Sequence, residues 1–203
     1  MISWYLGTQS QIPGEPDLSK ESNMNTNKKL IAAIAAGVIG AGGFAQTASA
    51  VTGNASAVLV APISITQSTA LNFGSIANNV PAAGSSTFVI NNDGTAPTVG
   101  ANLAQVGTAA TRGIFAVSGT GSLAYTVTIP AGSITLTESG GAGHTMSVGT
   151  FTSRTASIGA GTAGTLSTGS DTVYIGATLT VQDAATNEAG TYNGTYTVTV
   201  AYN

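Results

Sequence analysis

The sequence predicts an all-β chain folded as an immunoglobulin-like antiparallel β-sandwich, and three observations carry that prediction. Beyond residue 50, Thr, Ser and Asn alternate with Val, Ile, Leu, Tyr and Phe, the period-two pattern of strands with one wet face. Clusters of Gly, Asn, Asp and Ser interrupt the alternation at short intervals, as turns do. After the first fifty residues, no segment reads as a long amphipathic helix.

Taken in order, alternating or β-branched runs cover residues 55–66, 71–76, 86–91, 114–118 and 123–129, then 133–137, 146–152, 172–181 and 191–202. Turn residues separate them at Asn91-Asn92-Asp93-Gly94, Ser118-Gly119-Thr120-Gly121, Gly140-Gly141-Ala142-Gly143 and residues 183–190. Gly, Asn and Asp tolerate the positive backbone angles that tight turns demand. Strands at this spacing suit a sandwich. In the last run Tyr192, Tyr196, Val198, Val200 and Tyr202 share one face, expected in a core, while Thr195, Thr197 and Thr199 take the other.

The segment that breaks the alternation lies early. Lys28 and Lys29 precede an apolar run over residues 30–44, followed by Ala48-Ser49-Ala50, the layout of a secretory signal peptide cut after Ala50. The run has 15 residues and four glycines, whereas a membrane-spanning helix takes about 20 apolar residues. A cleaved leader is therefore expected, with no transmembrane anchor in the mature chain. A lipoprotein signal needs a cysteine, and the chain has none. A prepilin cut after Gly43 would need a long apolar helix beyond Phe44, where polar and small residues stand instead. The leader fits residues 24–50. Residues 1–23 are then upstream sequence read through to the true start at Met24, since Lys20-Glu21 can be encoded by a purine-rich ribosome-binding stretch, or else a disordered extension.

The chain of 203 residues is 42% hydrophobic and only 6% charged. After Ala50 the charges are Asp93, Glu138, Asp171, Asp183 and Glu188 against Arg112 and Arg154, a balance of −3 without a lysine. A phosphate-binding surface needs clustered Lys and Arg, so no nucleic-acid partner is expected. The length after the leader suits one domain. A triad hydrolase needs an imidazole base, and the lone His144 follows a glycine-rich turn. Glycosidase chemistry would need two carboxylates, but the five acids sit next to Gly, Ser, Asn or Thr in turn-like places. No calcium-loop or zinc spacing occurs, and the glycine strings lead into strands rather than helices. No enzyme, no metal and no cofactor are expected.

Three stretches together resemble bacterial fimbrial subunits, the pilins of the chaperone–usher kind and their spore-coat-U-like branch. They are Val51-Thr52-Gly53 leading into residues 55–60, Leu71-Asn72-Phe73-Gly74-Ser75-Ile76, and residues 189–202. The same elements are similar to an exported bacterial family, the domain of unknown function 4402. The resemblance implies a sandwich lacking one strand, over residues 59–203, whose groove accepts residues 51–58 of another copy as a donor strand. Val51, Gly53, Ala55 and Ala57 would be the donor's inward positions. Gly190 and Tyr202 match places that a periplasmic chaperone reads in those subunits, with an outer-membrane usher as the second partner. This chain departs from the archaic branch in having Ile63 and Ile65, and no cysteine, where a disulfide is usual.

Strand addition joins chains through main-chain hydrogen bonds, with alternate side chains setting register. Head-to-tail addition of copies gives an open filament on the cell surface, reached through the periplasm. The alternative is a self-complete sandwich acting as a monomeric secreted or cell-surface binding module, a matrix or adhesin component. An outer-membrane barrel would need longer strands and aromatic girdles.

Overall fold

A computed structural model describes residues 48–203, and the β-domain spans Asn54–Asn203. The proposed start at Met24 and most of the leader lie outside the described residues. Among the described residues, no helix occurs and all strand pairs are antiparallel. The strands are β1 (Ser64–Thr69), β2 (Ser75–Asn78), β3 (Ser85–Ile90), β4 (Thr98–Val99), β5 (Leu103–Val106), β6 (Gly113–Ser118) and β7 (Ala124–Thr128). They continue with β8 (Ile134–Glu138), β9 (Thr145–Thr155), β10 (Gly159–Ala160), β11 (Ala163–Thr165), β12 (Ser170–Gln182), β13 (Tyr192–Asn193) and β14 (Thr199–Tyr202).

The central strand is β12, whose Val173, Ile175, Ala177, Leu179 and Val181 are buried at alternate positions. Its first half pairs with β6 and its second half with β3, while β9 runs along its other edge. The main sheet runs β1-β6-β12-β9-β8-β13, with β3 and β4 beside the second half of β12. Two smaller sheets, β11-β7-β14 and β2-β5, complete the β-sandwich architecture. One core gathers Val117, Tyr125, Val127, Leu166, Val173 and Ile175; the other gathers Phe73, Phe88, Ile90, Val148, Ala177, Leu179 and Val181.

A polar bolt crosses the first core. The hydroxyl of buried Tyr125 on β7 donates to Asp171 Oδ2 on β12 at 2.8 Å, and burial pushes the phenol's pKa well up. Asp171 also accepts from the backbone N–H of Ser157 at 3.1 Å and from its hydroxyl. Gly164 is required here, because a Cβ would stand 2.3 Å from the Tyr125 ring.

The pattern-based boundaries fail in three places. The run at residues 55–66 forms strand only from Ser64. The run at 71–76 becomes a bridge at Asn72 followed by β2. The run at 191–202 splits into β13, on the edge of the main sheet, and β14, in the sheet of β7, so Tyr192 does not share a face with Tyr196 and Tyr202. Each run has the right alternation, but the chain changes sheets part-way through the second and third.

Candidate functional site

A groove of about 850 Å³ opens over the second core. Its floor is the inner face of the main sheet: Ile134 and Leu136 from β8, Met146 and Val148 from β9, Leu179 and Val181 from β12. Residues 70–78 form one lip and residues 187–194 the other, with Tyr196 closing one end. The floor is apolar because inward positions alternate along three adjacent strands.

One lip carries spare backbone, and the chain just beyond the other does too. β2 pairs only with β5, and residues 75 and 79 direct their N–H groups to that side, at Thr108 and Asn102. In an antiparallel pair alternate residues point opposite ways, so Ile76 and Asn78 turn their backbone groups away from β5, toward the groove. On the other side, residues 194–198 carry no strand pairing. Here Tyr196 and Val198 reach inward with Val200 and Tyr202, and Thr195, Thr197 and Thr199 are exposed, the alternation the sequence predicts.

Tyr196 packs edge-on to Phe115, with ring centroids 6.2 Å apart, and against Phe151 at 5.4 Å. Its hydroxyl is buried without a hydrogen-bond partner among the described residues. Desolvation pushes its pKa up to about 12. Gly190 sits where a Cβ would meet the Glu138 carboxylate at 2.6 Å, and Tyr192 donates its hydroxyl to the Glu188 carbonyl at 2.8 Å. Glu138, its side chain only 8% exposed, pairs with His144 Nδ1 at 2.9 Å, so this histidine is held against the end of β8 rather than displayed on an open turn.

The expected donor residues Val51, Gly53, Ala55 and Ala57, like Ala48 and Ala50 of the expected cleavage site, stand outside any strand. Beside them Val58 and Leu59 are 89% and 92% exposed, a large apolar display for a domain of this size. The domain takes hold of the chain at Ala61. There the Ala61 N–H donates to Thr120 Oγ1 at 2.6 Å, and the Tyr202 hydroxyl donates to the Ala61 carbonyl at 3.0 Å while accepting from Thr120 N–H at 2.6 Å. Tyr202, singled out in the sequence as a terminal aromatic, thus roots the amino-terminal arm.

That root and the groove lie at opposite ends of β12. Ser64 pairs with Ser118, which pairs with Ser170 at the start of β12, whereas the floor residues Leu179 and Val181 lie near its end. At about 3.3 Å per residue the separation is roughly 30–36 Å. Residues 51–60, fully extended, reach at most about 36 Å, so an arm turned back on its own domain would spend its whole length in arriving and have none left to lie along the groove.

The groove itself is not announced by the sequence. Alternation marks Ile134, Leu136 and Met146 as inward-facing, and nothing in it says that no strand covers them. Among the described residues, no cluster of His, Asp and Glu is arranged to hold a metal ion, and no helix is long and apolar enough to cross a membrane. A comparison with protein families matches residues 63–202 to the family described as Domain of unknown function (DUF4402). No curated protein and no solved structure matches the chain.

Proposed function

Starting from a chain that belongs to the domain of unknown function 4402 family, we propose that it is an exported structural subunit of a cell-surface filament, assembled by donation of its amino-terminal arm to the next copy. The observation that carries this reading is the pairing of an uncovered apolar groove, flanked by unpaired backbone, with an exposed apolar arm rooted at the opposite end of the domain. An inserted strand pairs its backbone with the free edge of β2 and seats alternate side chains on the floor. Val51, Ala55, Ala57 and Leu59 supply that apolar alternation. The reach argument directs the arm to a neighbour, and repeated head-to-tail contacts make an open fibre.

Such a groove exposes both a core and a sheet edge before assembly, a state that invites aggregation. A periplasmic chaperone that occupies it, and an usher that exchanges chaperone for the next arm, fit that need. Export through a leader cut after Ala50 frees Val51 as the tip of the arm.

The test compares the chain starting at Val51 with one starting at Leu59, both made in a periplasm, by size-exclusion chromatography and negative-stain microscopy. Ladders or fibres from the long form alone support donation. Equally stable monomers from both would refute it and favour the monomeric binding module. A Met146→Arg change in the long form places a charge on the half-buried floor and should stop growth as completely as the truncation.

A further inference from the structure

On the face of the main sheet away from the groove, the ladder between β9 and β12 is interrupted. Gly176 pairs with Thr152 and Thr178 with Gly149, so Thr150 and Phe151 together oppose Ala177. This is a β-bulge, a feature that re-aims side chains and is common beside functional sites. Within it Thr150 has φ of +48°, a left-handed conformation that strains a β-branched residue. Strain of this kind persists where the surroundings hold it, and Thr150 lines a hollow of about 210 Å³.

Polar residues share the lining of the hollow with Val89, Ile90 and Ala177. Thr150, Thr152 and Thr178 bring three hydroxyls, and the turn after β3 brings Asn91, Asn92 and Asp93. Asn91 spends its Nδ2 on the Ala96 carbonyl, and Asp93 takes both Thr95 bonds on Oδ1. This leaves Asn91 Oδ1 and Asp93 Oδ2 as acceptors beside donors that can rotate. The two arginines of the described residues brace the turn and strand beside the hollow without lining it. Arg112 stacks on the Tyr174 ring at 3.9 Å and donates to the Asn92 carbonyl at 2.7 Å, clamping the turn against β12. Arg154 is the cross-strand partner of Tyr174 and contributes to holding the Asp93 carboxyl below its ordinary range, behind the larger effect of the Thr95 hydrogen bonds.

We propose that this hollow binds one hexose unit of a neutral glycan. Its mixed donors and acceptors, held on a rigid sheet by the Arg112 clamp, match a ring of vicinal hydroxyls, which are donor and acceptor at once. Its volume is below the range of about 300–1,000 Å³ usual for whole drug-sized ligands, so it takes a single ring of a longer chain. The Asp93 carboxylate disfavours anionic sugars. The site lies on the side of the sheet opposite the groove floor, and it stands whether or not the filament reading does.

The test is saturation-transfer NMR on the chain with glucose, galactose, mannose and N-acetylglucosamine, compared with Thr152→Val and Thr150→Gly variants. Thr150→Gly removes the hydroxyl while accepting the positive φ, so the variant keeps its fold. Saturable millimolar binding of at least one sugar, weakened about tenfold by each variant at unchanged melting temperature, supports the site. Failure of all four sugars to saturate, or wild-type binding by both variants, overturns it.

Discussion

Replacing Tyr196 by Phe should make the protein more stable, although it deletes a polar group from a tyrosine that sequence reading places at the heart of the terminal strand. The ring contacts with Phe115 and Phe151 survive the change, and the only atom lost is a buried hydroxyl without a partner among the described residues. Leaving such a group unsatisfied costs about 1–3 kcal/mol. In a domain of this length, each kcal/mol corresponds to about 2–4 °C in melting temperature, so the variant should melt roughly 2–12 °C higher at neutral pH. A second signature appears in alkali. The hydroxyl ionises only near pH 12 in the folded protein, against about 10 in an unfolded chain. Between those values the unfolded state releases its proton first, so stability falls as pH rises through the window. The wild type should lose stability there that the Phe variant keeps, and Tyr125, common to both proteins, cancels in the difference. Thermal unfolding followed by circular dichroism at neutral pH and in steps through that window reads both effects. A melting temperature equal to or below wild type at neutral pH would mean that the hydroxyl has a partner, and the argument would fall.

Tyr125→Phe should cost about 1.5–3 kcal/mol in urea unfolding, since it removes a hydrogen bond to the Asp171 carboxylate and leaves that group short of a partner. An unchanged urea midpoint would show that Ser157 and water satisfy Asp171 alone. Gly176→Ala puts a methyl 2.3 Å from the Ile90 carbonyl oxygen and 2.8 Å from the Asn92 nitrogen, both backbone atoms, and should destabilise by about 1–3 kcal/mol or more. A neutral outcome in the same titration would contradict the close packing of the turn on β12. Tyr202→Phe frees the root of the arm and should speed amide hydrogen exchange at Ala61 and Thr120 while lowering stability by about 1 kcal/mol. Unchanged protection at both amides would show that the arm is held elsewhere.

The strands most legible in the sequence are those buried by alternation on one sheet. Residues 86–91, 114–118 and 172–181 all fall within a residue or two of β3, β6 and β12. Strands β4, β5, β10 and β11 have two to four residues, too few for a period of two to show. The arm misleads for a different reason. Val58, Leu59 and Val60 look like core residues, but period two reports which face a side chain takes and not whether anything covers it. The same limit hides the groove, whose half-buried Ile134, Leu136 and Met146 look in the sequence no different from the buried Val173 or Ile175. Asp171 and Glu138, read as turn acids, lie in strands and are tied to Tyr125 and His144. Nothing in the local sequence marks Thr150 for a left-handed conformation, because the bulge follows from the register of two distant strands.

The two-part pairing of β12 also fixes how the domain would carry a pull. In the proposed filament, tension entering at Ala61 would pass to β1 and β6 at the start of β12 and leave from the groove near its end. The load therefore runs along the strand, so the hydrogen bonds to β6, β3 and β9 resist together in shear instead of opening one after another like a zipper. A chain without a single disulfide would then withstand stretching through one long strand, and the first part to yield would be the short grip of Tyr202 and Thr120 on the arm.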